Sequence, residues 1–217
     1  MDQHAGGLRG VARVAVTPGA ETDLAAALAA FHELHPGVQV RLRQAAASEV
    51  VALLGSGSVD VGVAALSQET RAAARGLVES VPLRQEALRI ITPPGHGLAA
   101  APHRGAEDLR GEPLVLTEPG SALRETVLSI CAGAGFSPLP LLEVGDPGTL
   151  RELVHAGLGA SVVPTSWLDR PGAAVDSVAL GHPEARQAIE LLAPAGGASP
   201  AGRLLHGHLL ARRREDL

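Results

Sequence analysis

The segment from Arg13 to Phe31 constrains the fold most strongly, because a short strand passes there through a tight turn into a helix. The run RVAV is β-branched and ends at the turn Thr17–Ala20. Apolar residues then recur at helical spacing at Leu24, Ala27, Leu28 and Phe31. In an open α/β sheet, ligands bind just beyond the carboxyl ends of strands, where the next helix directs its unpaired N–H groups. The turn Thr17–Ala20 is therefore either half of a small-molecule site or a plain connection.

The alternation of strand and helix continues along the chain and then starts again. The first series predicts strands at 38–43, 59–64 and 88–92, with a helix that Ser48 caps and that runs through Leu54. The second series predicts strands at 114–117, 141–144 and 160–163, with helices capped by Ser121 and Asp146. A strand at 187–193 and a helix that begins at Ser199 complete the chain. This order favours an α/β fold of two similar halves with parallel strands.

Composition excludes several classes of function. The 217 residues are 46% hydrophobic, which is enough for a buried core, and the net charge of −5 argues against direct binding of nucleic acid by this chain. Aromatic residues make up only 1%, so base-stacking platforms are not expected. One cysteine permits no internal disulfide, and no run of about 18 apolar residues predicts a membrane span. The first ten residues lack the apolar core of a signal peptide, which favours a cytoplasmic location.

The sequence offers little support for catalysis, a cofactor or a metal site. Cys131 is predicted to lie on the apolar face of a helix, within the core. No G-x-S-x-G nucleophile elbow occurs, and the glycines around Ser56 lack the lysine and the spacing of a phosphate loop. The nine histidines show no metal-ligand spacing with cysteine. We therefore predict a binding protein without catalytic residues, metal or cofactor.

Four stretches, taken together in their order and spacing, resemble the effector-binding domain of LysR-type transcriptional regulators. They are LLGSGSVDVGVAAL (53–66), VPLRQEALRIITPPGHGLA (81–99), DLRGEPLVLTEPGSALRETVLSICAGAGF (108–136) and LVHAGLGASVVP (153–164). The resemblance implies two Rossmann-like α/β lobes joined by two crossing strands, a type-2 periplasmic-binding-protein-like fold with the effector in the cleft. Lobe I would comprise residues 1–90 plus 190–217 and lobe II residues 91–189, with crossing strands at Leu88–Thr92 and Ala188–Leu192.

The resemblance also implies a set of ligand-binding residues. Lobe I would contribute Thr17, Pro18, Gly19, Ser48, Ala64 and Ala65, and lobe II would contribute Glu118, Pro119, Gly120, Ser121 and Asp146. For Ser48 and Ser121 both ligand contact and N-capping stay open, because one hydroxyl cannot easily serve both roles, and for Asp146 capping is favoured. Two helix N-termini at one site favour a small anionic effector. The mapping places no arginine there, so a multiply charged anion is not expected.

The implied partners follow from the same resemblance. A homodimer would place the 22–34 helix of one chain near the 121–134 helix of the other. The sequence starts where the family's linker helix would end, so it is either a fragment or a stand-alone sensor, and DNA would be bound only through a helix-turn-helix domain absent from this chain. The alternatives are a solute-binding protein of a transport system, which would need export, and an enzyme on the same fold, which would need convergent catalytic groups.

Overall fold

The computed structural model describes residues 9–21 and 24–212. The chain forms two compact units. Unit 1 consists of the residues up to Arg84 together with those from Ile189 onward, and unit 2 consists of Gln85–Ala188. The chain therefore passes twice from one unit to the other.

Unit 1 alternates strands and helices in the predicted order. Its elements are β1 (Gly10–Val16), α1 (Leu24–Leu34), β2 (Val38–Gln44), α2 (Ala47–Gly55), β3 (Val61–Ala64), α3 (Gln68–Ala73), the first half of β4 (Val78–Thr92), most of β10 (Arg186–Pro194) and α6 (Pro200–Arg212). The predicted first helix began at residue 22, and residues 22 and 23 lie outside the described ranges.

The sheet of unit 1 is parallel through its first three strands. β1 pairs in parallel with β2, from Gly10 opposite Val38, and on its other side with β3, from Val14 opposite Val61. β10 adds to β3 in antiparallel orientation, which gives the strand order β2-β1-β3-β10. The β–α–β–α–β prediction is confirmed for this half, because parallel neighbours require a crossover connection and α1 and α2 supply it.

Unit 2 repeats this architecture with a different set of residues. Its elements are the second half of β4, β5 (His103–Arg104), β6 (Leu114–Thr117), α4 (Ala122–Gly133), β7 (Pro140–Val144), α5 (Pro147–His155), β8 (Ser161–Pro164) and β9 (Asp176–Leu180). Short 3₁₀ turns lie at 97–100, 106–109 and 165–167. β6 pairs in parallel with β7 and, through a bridge from Leu114 to Ala160, with the start of β8. β4 pairs in antiparallel orientation with β8 and β9.

Three of the differences from the sequence-based expectation have a clear physical reason. β4 begins at Val78, ten residues before the predicted start at Leu88. The prediction missed this first part because none of it is fully buried and it lacks the apolar run that marks a buried strand. The helix α3 was missed because six residues span less than two turns and carry no apolar face. β9 was missed because it follows a Pro/Gly/Ala stretch that reads as a loop.

Candidate functional site

The turns that follow β1, β2 and β3 lie together at one end of the unit 1 sheet. We call residues 17–20, 45–48 and 64–67 the unit-1 edge. Thr17 N–H donates to the Val63 carbonyl at 3.0 Å, and Ala45 N–H donates to the Val16 carbonyl at 3.0 Å. These bonds join the three strand ends, so all six residues expected from lobe I, Thr17, Pro18, Gly19, Ser48, Ala64 and Ala65, belong to this edge.

Most of the predicted residues of the unit-1 edge are buried. Thr17, Gly19, Ala64 and Ala65 are buried, whereas Pro18 and Ser48 are exposed. Gly19 has φ of +86°, the left-handed region that glycine enters without steric cost. The turn is closed by Ala20 N–H, which donates to the Thr17 carbonyl at 3.0 Å.

The start of α2 differs from the prediction. Ala46, not Ser48, is the N-cap residue, and no side chain accepts a hydrogen bond there. Ser48 is the second helical residue and is exposed, so the capping alternative is wrong for it. The reason is that Ala46 adopts the extended conformation one residue before the helix, a position that a three-alanine run does not mark in the sequence. The first-turn N–H groups of α2 therefore lack a side-chain cap.

A charged pair stands beside the start of α2. Arg43, the penultimate residue of β2, forms an ion pair with Glu49 in the first turn of the helix. Both side chains are about half exposed, at 51% and 48%, so water screens their attraction. The sequence mapping placed no arginine at this edge; the structure has Arg43 two residues before it, with its charge paired to Glu49.

The turns that follow β6 and β7 form a corresponding edge in unit 2. We call residues 117–121 and 145–146 the unit-2 edge; they include all five residues expected from lobe II. The chain turns at Gly120, which has φ of +82°, and Ser121 N–H donates to the Glu118 carbonyl at 3.2 Å. The Glu118 carboxylate covers Gly145, where an added Cβ would stand 3.1 Å from it. Glu118, Pro119 and Asp146 are exposed.

Ser121 is the N-cap residue of α4, as the sequence predicts, but its hydroxyl does not accept a hydrogen bond from the helix. It accepts one from the hydroxyl of Thr117, a buried residue at the end of β6, at 3.0 Å. Capping by the Ser121 side chain is therefore wrong. With Thr117 as the donor, this hydrogen bond uses one lone pair of the Ser121 oxygen, and the Ser121 hydroxyl keeps its own proton as a donor.

Arg124, in the first turn of α4, contacts the unit-2 edge, and the sequence analysis missed this residue. Its Nη1 donates to the Thr117 carbonyl at 2.9 Å, and its Nη2 lies 2.7 Å from Oε1 of Glu143 on β7. The Arg124 side chain is 14% exposed, so the guanidinium is largely withdrawn from water. The available signal was its position in the first turn of α4, because helical side chains tilt toward the N-terminus and reach the preceding strand end.

Asp146 acts as the N-cap of α5, and this prediction is confirmed. Its carboxylate accepts a hydrogen bond from Thr149 N–H at 2.7 Å. Hydrogen bonds from Thr149, and further from Gly148 and the charge of Arg170, hold the pKa of Asp146 below its usual value, against a smaller opposing effect of burial. The carboxylate is therefore ionised at neutral pH and stabilises the positive end of the helix dipole.

The single cysteine lies in the core, and the described residues form neither a metal-ligand cluster nor a membrane-spanning helix. Cys131 is fully buried on α4, as predicted, and burial raises the pKa of its thiol. Within residues 9–21 and 24–212, no three His, Cys, Asp or Glu residues come together as a possible metal site. Across the same residues, every helix is too short or too polar to cross a bilayer.

A protein-family model matches almost the whole chain. The family described as LysR substrate binding domain matches residues 5–214. A probable hydrogen peroxide-inducible genes activator of Mycobacterium avium is 31% identical over 140 residues, which are 64% of this chain and 43% of that protein. The chain thus spans less than half the length of this relative.

Comparison with solved structures shows the same fold. The effector binding domain of QuiR in complex with shikimate superposes with a TM-score of 0.83 at 19% identity, covering 96% of this chain and 99% of that one. The BenM effector binding domain with its effector benzoate superposes with a TM-score of 0.79 at 20% identity, covering 95% and 93%. The predicted type-2 periplasmic-binding-protein-like fold is confirmed by these likenesses.

Proposed function

Because the chain belongs to the family of LysR substrate binding domains, we propose that it senses a small-molecule effector as the regulatory part of a LysR-type transcriptional regulator. The family match over residues 5–214 carries this proposal. The known relatives are regulators, so the role we propose is binding, in the cytoplasm, rather than catalysis. Effector binding would shift the population of conformations, and DNA would be reached through a separate helix-turn-helix domain.

We propose that the effector is a small anion, because the unit-1 edge and the unit-2 edge, each taken by itself, present a helix start that suits one. In unit 1, the α2 N-terminus lacks a side-chain cap, and in unit 2 the Ser121 hydroxyl is an available donor at the N-terminus of α4. Helix N-termini favour carboxylate and phosphate groups. Shikimate and benzoate, bound by the QuiR and BenM domains, are both carboxylates. The charges of Arg43 and Arg124 are already balanced by glutamates, which favours a single negative charge on the ligand.

A thermal-shift panel tests this proposal, because a ligand that binds the folded state raises the melting temperature. Small carboxylic acids, each paired with its neutral amide, are added to the wild-type chain. We expect at least one acid to raise the melting temperature while its amide does not. If no acid raises the melting temperature while a neutral or cationic compound does, the proposal of an anionic effector is contradicted.

We further propose a homodimer in which α1 of one chain packs near α4 of its partner. The outer face of α1 includes the small exposed residues Ala25 and Ala29, and Leu34 at its end is exposed, so a neighbouring helix could approach closely there. Sedimentation should show a dimer that Ala29→Glu dissociates. The matched control Ala52→Glu, on the exposed side of α2, should leave the dimer intact. A wild-type chain that stays monomeric at high concentration would refute the pairing.

The name of the M. avium relative raises peroxide as a signal, and the thiol chemistry of this chain disfavours it. Cys131 is the single cysteine, so it cannot form a disulfide within the chain. Its burial and raised pKa keep it protonated, and the thiolate is the form that oxidants attack. Intact-mass spectrometry after peroxide treatment should show Cys131 unmodified in the folded protein. Rapid, selective oxidation of Cys131 would support a redox signal instead.

A further inference from the structure

Strand β10 carries a buried carboxylate beside the unit-1 edge. Glu190 is 3% exposed and lies opposite Ala64, the last residue of β3, in the antiparallel ladder. Its side chain projects from the same face of the sheet as Leu192, which packs into the apolar cluster formed with α2. A carboxylate at such a position requires compensation for its lost hydration.

Arg71 of α3 supplies that compensation. Its Nη1 donates to Oε2 of Glu190 at 2.9 Å, and its Nη2 contacts Oε1, so the two planar groups meet in a bidentate pair. The hydrogen bond to Glu190 is the main cause that raises the pKa of Arg71. The pair is asymmetric, because the Arg71 side chain is 50% exposed whereas that of Glu190 is 4% exposed.

Asp60, a second buried carboxylate among the described residues of unit 1, is held in a different way. Asp60 accepts hydrogen bonds from the backbone N–H of Arg13 at 2.8 Å and from that of Ser199 at 3.0 Å. Burial opposes its ionisation, but these hydrogen bonds keep its pKa below the usual value. Asp60 is thus bound by backbone groups that no side-chain movement removes. Glu190 is bound by a flexible side chain from another element, and such a contact can be made and broken.

The place of the pair along the chain indicates its role. Unit 1 resumes at Ile189, so Glu190 is the second residue of β10 inside that unit. Arg71 lies seven residues after Ala64, on the helix that the unit-1 edge leads into. We propose that Arg71 and Glu190 form a latch that fixes β10 against α3 where the strand enters unit 1. The latch holds the strand beside Ala64, and its link to effector binding rests on the proposed function.

The asymmetric burial gives the latch a specific energetic signature. Removing Arg71 leaves the Glu190 carboxylate buried without its partner and out of reach of water, which is strongly unfavourable. Removing Glu190 leaves a guanidinium that is already half in water and can be fully hydrated. Replacing both by apolar residues of similar size restores packing without buried charge, and such replacements are often neutral or stabilising.

A double-mutant cycle of Arg71→Met, Glu190→Leu and the combination tests this latch by thermal unfolding and amide hydrogen exchange. Arg71→Met should lower the melting temperature by about 8 °C or more, and the double variant should recover most of that loss. Glu190→Leu alone should cost much less. In the Arg71→Met variant, the rate of amide hydrogen exchange should rise in Glu190–Leu192 and in residues 64–71, and it should change little in β6.

Two controls separate the latch from general damage. Arg75→Met removes an exposed arginine four residues further on and should leave both the melting temperature and the exchange unchanged. Arg71→Lys keeps the charge without the bidentate geometry and should fall between wild type and Arg71→Met. Equal losses for both single variants, additive losses in the double variant, or unchanged exchange in β10 would overturn the latch. No effector is used, so failure here leaves the proposed effector binding intact.

Discussion

The unit-1 edge and the unit-2 edge arise from the same strand–turn–helix pattern but satisfy their polar groups differently. In unit 2, α4 has no side-chain cap, but Asp146 caps α5, Arg124 joins the end of β6 to β7, and Thr117 donates to Ser121. In unit 1, α2 starts without a side-chain cap, and the charged pair beside it, Arg43–Glu49, is half exposed. An edge built by internal hydrogen bonds keeps its shape without ligand, whereas an uncapped helix start gains most from an added anion.

The largest expected difference between the edges concerns their two arginines. Arg124→Met removes a mostly buried guanidinium that joins Thr117 to Glu143, and we expect it to lower the free energy of unfolding by about 2 kcal/mol. Arg43→Met removes half of an exposed pair and should cost about 0.5 kcal/mol or less. Denaturant unfolding of both variants measures the contrast. Equal losses would show that the unit-2 edge is no better organised than the unit-1 edge.

The second contrast compares Asp146 and Ser48, the two residues that the sequence predicts as helix N-caps of α5 and α2. Asp146→Ala should lower the free energy of unfolding by about 1 kcal/mol, because Thr149 N–H loses its acceptor. The pKa of Asp146 is depressed in the folded state, so its contribution is present above about pH 4 and fades as the pH falls through the folded-state value. Unfolding measured at neutral and at acid pH should show the loss only near neutrality. Ser48→Ala should have almost no effect at either pH.

The smallest expected effect comes from adding the missing cap. Ala46→Asp places a carboxylate at the extended N-cap position of α2, and we expect a gain of about 0.5–1 kcal/mol in the free energy of unfolding. The same change should weaken binding of an acidic effector, because the new carboxylate occupies the N–H groups and repels the ligand. Thermal unfolding without the ligand tests the expected gain in stability, and thermal unfolding with the ligand tests the expected loss of affinity. A stabilised variant with undiminished affinity would exclude the α2 N-terminus as an effector contact.

Much of the fold follows from the sequence because its signals are local. The parallel strands β1, β2, β3 and β6 are short apolar or alternating runs that glycine and proline turns bound clearly. Asp146 followed by Pro147 marks the start of α5 by residue type alone. These signals operate within one helical turn or one strand, so no knowledge of tertiary structure is needed to read them.

The details of the candidate site are less predictable because they depend on contacts between distant residues. The Ser121 hydroxyl contacts Thr117 and does not cap α4, and residue type alone does not distinguish these two outcomes. Arg71 and Glu190 are 119 residues apart, and nothing in either local sequence indicates that they meet. The start of α2 at Ala46 is set by backbone conformation within three alanines, where side-chain chemistry gives no signal.

The most direct test of the central claim is a nuclear magnetic resonance titration that follows backbone amides as an acidic effector binds. The acid with the largest thermal shift is added to isotope-labelled protein, and its amide serves as the control. The account predicts that the largest acid-specific shift changes fall on the first-turn amides of α2, residues 47–49, or on those of α4, residues 122–124. Saturable binding that changes the chemical shifts of other amides but of neither helix start would contradict it.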